Sequence, residues 1–563
     1  MDKKRIVIIG GVACGPKAAS RIRRLDPQAE ITIIERGEIL SYAGCGLPFY
    51  ISGDVHDYKE LMSTPAGILR DTIYFKKVKD IIVHNRTLAK GIDRGKKTVH
   101  AVRIDTGEEF SVAYDALVLA TGASPIRPPI EGIDLNGVNM LSTIEDARII
   151  KEKGMKLAGK DAVIIGGGLI GMELTESFAS LGMNVTVIEK MHSVLAALLD
   201  PEMAFHVQNE LVANDVRLTL NNSVQRITGD DQGNVRSVVT EKGEYPADMV
   251  LVAVGNTPTV VLAKEAGLEL GATGAIKVDA NCRTSDPDIY AGGDCVESVG
   301  LIDGKPLYAP MGSTANKHGR VIADNICGRN SSLPGVLGTA ICGIFDINVA
   351  RTGLTEREAR ARGYEIVTVL NPAPDKAHFH PRATIIIVKL IADAKTRRIL
   401  GAQIVGSGDV ANRIDVAATA ISRGDTVDDI AALDLAYAPP FSPAMDNIIV
   451  ASGIAQNKMD GLARAYTPTE VKSKIDRNED FVLLDVRTPK EFEKERIDDT
   501  RVMLIPLGTL RERLGELPRG KEIVSFCKFS LRGYEAQRIL EGAGFSNVRF
   551  MDGGVICWPY AKT

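Results

Sequence analysis

Short β-branched runs alternate with helix-length stretches through most of the chain, the rhythm of parallel strands joined by helices. Residues 5–9, apolar and β-branched from Ile6 onward, are predicted to be a strand buried on both faces. A glycine-rich turn follows, then a helix over 16–25 and a second strand over 31–34 that ends at Glu35. The same order returns at 162–165: strand, glycine turn, helix to about residue 181, strand over 184–188, and Glu189. Strands are also predicted at 114–120 and 249–255, the latter returning the chain from the second unit to the first. Residues 284–294 read as a strand closing on Asp294 in a glycine turn. Paired strands are expected around 398–406, with a helix opening at Arg413. After a stretch read as a linker (451–467), strands at 481–487 and 522–526 begin a further small α/β unit.

The length changes this picture only by multiplying it. At 563 residues the chain exceeds a single core, and three or four domains are expected. The formal net charge of −4 gives no reason to expect a nucleic-acid binder. No apolar run reaches the length of a membrane span. The first residues run straight into a strand without the features of a signal peptide, so a cytoplasmic location is expected. The eight cysteines are scattered and form no C-x-x-C pair. Individually reactive thiols in a reducing compartment fit this better than a zinc site or a disulfide framework, and no metal is expected.

The two glycine turns carry candidate chemistry. Strand, glycine turn, helix, strand and acidic residue, in that order, is the Rossmann layout. Such a turn offers backbone N–H groups and a helix N-terminus to a pyrophosphate, and the acid takes ribose hydroxyls. In the first copy the turn comprises Gly10, Gly11, Ala13 and Gly15, with Glu35 and Arg36 after the second strand; Val12 stands where the middle glycine belongs. The second copy, Gly166, Gly168, Leu169, Ile170 and Gly171, has all three glycines. Glu189 would bond a free 2′-hydroxyl and repel a 2′-phosphate, which favours NADH over NADPH; Gly255 ends the return strand. Two such units imply two dinucleotides. Between them lies Ser41-Tyr42-Ala43-Gly44-Cys45-Gly46-Leu47-Pro48. Small residues there admit a flat ligand close to the sulfur, and a helix start favours thiolate. By themselves these residues suit a buried structural cysteine equally well.

Residues 1 to about 450 resemble the pyridine nucleotide-disulfide reductase superfamily. Two glycine-rich units, Ala120-Thr121-Gly122 and Ala291-Gly292-Gly293-Asp294 carry the likeness in this order. It implies FAD on the first unit, with Thr121, Gly122 and Asp294 on the flavin side, and NAD(P)H on the second. The single Cys45 resembles the one-cysteine branch: coenzyme A-disulfide reductases, NADH oxidases and NADH-dependent persulfide reductases. Coenzyme A is implied as a ligand or mixed disulfide, with Arg21, Arg24 and Ser41 as its contacts, although a solvated basic helix face would also explain the two arginines. Residues 328–450 resemble the dimerisation domain, implying a homodimer in which Tyr437, within Tyr437-Ala438-Pro439-Pro440, serves the partner's site as a proton donor. Gly44 replaces the usual Asn, and Phe379, between His378 and His380, stands where a second tyrosine is expected.

The last stretch, with Asp485-Val486-Arg487, Cys527-Lys528-Phe529-Ser530-Leu531-Arg532 and Asp552-Gly553-Gly554, resembles a single-module rhodanese. The resemblance implies a persulfide on Cys527 held by the loop's N–H groups, with charge from Arg532; Arg496 replaces a usual histidine. The expected fold is α/β, with an FAD domain (1–118 and 250–327), an NAD domain (119–249), an α+β dimerisation domain (328–450), the linker, and a rhodanese domain (468–563). The expected activity is reduction of persulfide or polysulfide by NADH. Coenzyme A-disulfide reduction, NADH oxidase or peroxidase activity, and flavin-bound redox sensing are the alternatives.

Overall fold

A computed structural model describes residues 3–563 and divides into two compact units. Unit 1 spans the chain to Lys190 and Val216–Val336; unit 2 spans Met191–Asp215 and Leu337–Thr563.

Unit 1 holds two parallel sheets of five strands. The first runs Ile289–Ala291, Ala116–Leu119, Arg5–Ile9, Glu30–Ile34, Ile82–His84. The second runs Arg217–Thr219, Asn184–Ile188, Asp161–Ile165, Met249–Val252, Val138–Asn139. The central strands are buried along almost their whole length, which is why they read as apolar runs without alternation. Each sheet is joined by a three-stranded antiparallel meander, Thr87–Ala113 in one case and Val224–Pro246 in the other. The crossover helices are Cys14–Leu25 and Leu169–Ser180. The first starts two residues ahead of the predicted position, because Cys14 and Gly15 precede Pro16 in the first turn, where proline's missing N–H is harmless. Met249–Val252 is not the return strand: it pairs in parallel with 162–165 inside the second sheet. The return is the short ribbon of Asn256–Pro258 against Ala123–Pro125.

Unit 2 contains an antiparallel sheet ordered Ala340–Ile344, Ile347–Gly353, Ile399–Gly406, Ile385–Asp393, Ile366–Pro374. Helix Pro201–Ala213, which the sequence places in the NAD domain, belongs to this unit. Lys389, fully buried in strand Ile385–Asp393, explains the attachment. Its ammonium meets the carboxylates of Asp200 (2.9 Å), Glu202 (2.5 Å) and Glu356 (2.8 Å). Gln403 completes the group, donating to Asp200 at 2.6 Å and accepting the Asp200 N–H at 2.8 Å. A lone charge could not be buried there; the surrounding carboxylates hold the Lys389 ammonium in its charged form.

The stretch predicted to be a linker is mostly a helix, Asn447–Met459, with Ile448, Ile449, Ala451 and Ala455 buried. Its small-residue composition suggested a tether, but the Ala and Ser side chains are small because they pack. The rhodanese-like fold that follows is a parallel sheet ordered Ala465–Tyr466, Val548–Met551, Glu522–Phe526, Phe481–Asp485, Val502–Leu504. It is fixed to its neighbour through Asp552, whose carboxylate accepts from Lys458 Nζ (2.6 Å) and the Leu370 N–H (2.9 Å). Ser530 Oγ donates to the Leu370 carbonyl.

Candidate active site

The two glycine turns of unit 1 have one geometry. Gly10 has φ +114°, and a Cβ there would lie 2.0 Å from the Ala120 carbonyl; one at Gly15 would lie 2.0 Å from the Gly10 carbonyl. Gly166 (φ +110°) and Gly171 repeat this against Ala253 and Gly166, at 2.4 and 2.1 Å. Only glycine tolerates either contact. Gly168 differs, because the space beside it is empty. Room there is what a pyrophosphate crossing the turn requires, and Leu169, Ile170 and Gly171 begin the helix whose free N–H groups face it. Val12 occupies the equivalent place in the first turn, with Ala13 as the residue preceding helix Cys14–Leu25.

Glu35 and Glu189 also match. The Gly11 N–H donates to Glu35 at 2.6 Å and the Gly37 N–H at 2.7 Å; the Gly167 N–H donates to Glu189 at 2.5 Å. Each acid braces its own turn as well as standing at the strand end where a ribose would lie. Arg36 is exposed beside Glu35, and Gly255 (φ +112°) lies between strand Met249–Val252 and the Asn256–Pro258 ribbon. Ser41, at φ +49°, is buried and its N–H donates to the Gly11 carbonyl at 2.8 Å. Thr121 gives its hydroxyl to the Thr259 carbonyl (2.6 Å) and the Thr259 N–H returns to Gly122. Burial alone raises the pKa of Asp294 from its ordinary value. A carboxylate held in that state beside a glycine turn fits the hydroxyls of a flavin side chain, so the first turn, Glu35 and Asp294 fit FAD and the second turn with Glu189 fits a nicotinamide dinucleotide.

Cys45 lies on a single 3₁₀ turn, Gly44–Gly46, that runs into helix Leu47–Ser52 with Pro48 in its first turn. A Cβ at Gly46 would lie 2.4 Å from Leu61 Cδ2, so a larger residue there would need that side chain to move. The thiol is exposed, which removes the structural-cysteine alternative. It is not activated in the way a helix start suggests. The surrounding protein, and behind it Glu173 and Asp294, raise its pKa, opposed by one backbone N–H bond. Glu173 comes from helix Leu169–Ser180, which is tied to this region by Ser177 Oγ donating to the Pro48 carbonyl (3.0 Å). Burial, then Glu176, raises Glu173 to about 7. Nothing in the local sequence identifies Glu173, which shares its helix face with Glu176 and Ser177.

In unit 2, Tyr437 sits on the irregular stretch between Ala431 and Asn447 and is 53% exposed, among Leu433, Phe441 and Met445, also exposed. Phe379 is 69% exposed on another loop. Cys527 ends strand Glu522–Phe526 and is buried, 1% exposed, not the head of an open loop. Burial raises its pKa. The N–H groups of Gly533, Phe529 and Arg532 and the Arg532 charge pull it back. The expected low-pKa thiol is therefore replaced by a thiol enclosed in a ring of donors. Arg532 is held by Glu491 through two bonds, 2.8 and 2.7 Å, and these hold Glu491 down to about 2. Glu491 was not singled out in the sequence, though it follows the Asp485-Val486-Arg487 signature within one turn of helix Pro489–Lys494.

Of the coenzyme A contacts, Arg21 is already committed: its guanidinium pairs with buried Asp324 at 2.5 and 2.8 Å. Arg24 remains exposed on the same helix. Among the described residues no group of three metal-ligating side chains occurs, and no helix is long and apolar enough to cross a membrane.

Comparison with known proteins agrees with this geometry. Residues 4–313 match the pyridine nucleotide-disulphide oxidoreductase family, 339–449 its dimerisation domain, and 467–559 the rhodanese-like domain. The chain belongs to the pyridine nucleotide-disulphide oxidoreductase family and carries a C-terminal rhodanese-like domain; it is an NAD(P)H-dependent flavin oxidoreductase. A solved NAD-dependent persulfide reductase from A. fulgidus is 48% identical, with a TM-score of 0.94 over 98% of this chain and 100% of that one. Reduced Bacillus anthracis CoADR-RHD is 35% identical, with a TM-score of 0.92 over 99% of this chain and 98% of that one. The NAD(P)H coenzyme A polysulfide/persulfide reductase of Pyrococcus horikoshii is 39% identical over 80% of this chain and 97% of its own.

Proposed function

We propose that this chain uses NADH and FAD to reduce persulfides or polysulfides through Cys45, and that its rhodanese-like domain handles sulfane sulfur on Cys527. The observation that carries the reading is the pairing in one chain of an exposed single thiol beside a flavin-type turn with a second cysteine ringed by N–H donors. Such a ring suits a persulfide anion, which a disulfide- or oxygen-reducing enzyme does not need. When bound, the two cofactors supply the electron pair.

The chain's own groups do the rest. The Cys45 thiolate attacks a sulfur of the donor and expels the remaining sulfur species, forming a mixed disulfide or persulfide that the electron pair returns to thiolate. Glu173, raised to about 7 and acting on Cys45 through its charge, is the group proposed to exchange the proton of this step. Glu189 supports NADH as the preferred nucleotide. A homodimer is supported by the dimerisation-domain match and the exposed apolar Leu433, Tyr437, Phe441 and Met445, with Tyr437 as a proton donor in the assembled site. Coenzyme A binding rests on Arg24 and the side chain of Ser41, whose N–H is taken by the Gly11 carbonyl. The cytoplasm is the expected location.

The test is turnover of NADH with coenzyme A persulfide, coenzyme A disulfide and oxygen in parallel. The highest kcat/KM should belong to the persulfide. A highest value with the disulfide or with oxygen would replace this reading with a coenzyme A-disulfide reductase or an NADH oxidase.

A further inference from the structure

The turn that carries Asp294 is held from several sides within unit 1. The Gly292 N–H donates to the Leu119 carbonyl at 3.0 Å, and the Gly293 carbonyl accepts the Val296 N–H at 3.3 Å. The Tyr308 hydroxyl donates to the Asp294 carbonyl at 3.0 Å. The Gly293 N–H has a side chain as its partner: it donates to Nδ1 of His318 at 3.2 Å. His318 lies on helix Gly312–Ile326 and is 4% exposed. A Cβ at Gly292 would lie 2.8 Å from the His318 Cβ and 2.9 Å from the Cys14 sulfur, so glycine is what lets the helix come this close to the turn.

That bond fixes the state of the ring. An imidazole nitrogen accepts a hydrogen bond only when it carries no proton, so Nδ1 is bare and the ring neutral. Burial alone lowers the His318 pKa from 6.5 to about 4, in keeping with this. The titratable groups packed about the turn are the Cys14 and Cys295 thiols, Tyr308 and Asp294, all raised by burial. Lys17, Lys317 and Arg320 are exposed. A ring neutral down to about 4 in the folded chain would take up a proton near 6.5 once the turn let go. The held state therefore binds fewer protons between those values, and the hold weakens as pH falls through that window.

We infer that His318 is a positioning residue for FAD: by accepting the Gly293 N–H it sets the peptide that leads into Asp294, and so places that carboxylate for the hydroxyls of the flavin side chain. This rests on the reading of Asp294 given above. His318 acts through the turn and needs no contact with the cofactor. Losing the acceptor leaves a buried N–H without a partner, and the turn is then free to leave the geometry that the carboxylate needs. Asparagine is the replacement that keeps the acceptor, because its Oδ1 stands one bond from Cγ, as Nδ1 does. Glutamine fills more of the imidazole's volume but carries its oxygen one carbon further out.

The experiment measures FAD dissociation from the full-length holoenzyme, read as the fluorescence of the freed flavin on dilution. At neutral pH His318→Gln should bind FAD about tenfold more weakly than the wild type, whereas His318→Asn should stay within about threefold. A role in packing alone would reverse that order, so a glutamine variant that binds as well as the asparagine one overturns the inference. Between about pH 7 and about pH 5 the wild type should lose its advantage, its affinity falling to within about threefold of that of His318→Gln, which cannot titrate. A wild-type-to-glutamine ratio that stays constant over that range also overturns it, and this comparison stands even if the asparagine variant does not fold. Asp294→Ala serves as the reference. Loss of FAD from Asp294→Ala while both His318 variants keep theirs overturns the inference and leaves the Asp294 reading intact. Wild-type FAD affinity in Asp294→Ala overturns the Asp294 reading and the inference with it.

Discussion

At the scale of single residues, the same side chain types play different parts according to what surrounds them. Glu35 and Glu189 were legible because each ends a strand at a fixed distance past a glycine turn. What the sequence could not show is that each also accepts an N–H from its own turn. Glu189→Ala should therefore reduce the preference for NADH over NADPH and also loosen nicotinamide nucleotide binding generally. A kcat/KM for NADPH that already equals that for NADH in the wild type would contradict the role of Glu189. Glu173 was invisible because its significance lies in contact with a loop from another domain. Its carboxyl titrates near 7 in the folded chain against an ordinary 4.5. Between those values the folded state holds more protons than the unfolded one, so this group's contribution to stability falls as pH rises from about 4.5 to 7. The Tm difference between wild type and Glu173→Gln should shift against the wild type across that window. A difference that stays flat would contradict the raised pKa.

At the scale of elements, apolar strands and their helices were readable because two-sided burial leaves an uninterrupted run of Val, Ile and Leu. The failures share one cause: packing partners distant in sequence. Residues 451–459 looked like a tether, yet their Ala and Ser positions form the buried face of helix Asn447–Met459. Helix Pro201–Ala213 looked like part of the NAD domain, yet Asp200 and Glu202 bind Lys389. Lys389→Met would leave Asp200 and Glu202 without their cation, while Glu356 keeps Arg360, and should destabilise unit 2 by about 3–5 kcal/mol, as measured by denaturant unfolding followed by circular dichroism. Lys389→Met together with Asp200→Asn and Glu202→Gln should recover part of that loss. An unchanged midpoint for the single variant would show that the cluster is not stabilising.

At the scale of the whole chain, the fold class and the order of its modules follow from a repeated local pattern, which is why the sequence revealed them, and the family matches agree. The relation between the rhodanese-like domain and its neighbour was not legible, because it depends on Asp552 reaching Lys458 and the Leu370 N–H. Removing Lys458 leaves the buried Asp552 carboxylate with only the backbone partner, so Lys458→Met should separate the unfolding of the rhodanese-like domain from the rest in calorimetry, giving an added early transition. A single unchanged transition would mean that the junction contributes little. The central claim is that Cys45 is the thiol through which sulfane sulfur is reduced, and its most direct test is Cys45→Ser with coenzyme A persulfide, following NADH oxidation and sulfide release together. The glycine turns, Glu35 and Asp294 are untouched by this change, so the variant should keep its FAD while both rates fall by at least about a hundredfold. A flavin-loaded Cys45→Ser protein that still releases sulfide at the wild-type rate, one per NADH, would contradict the account.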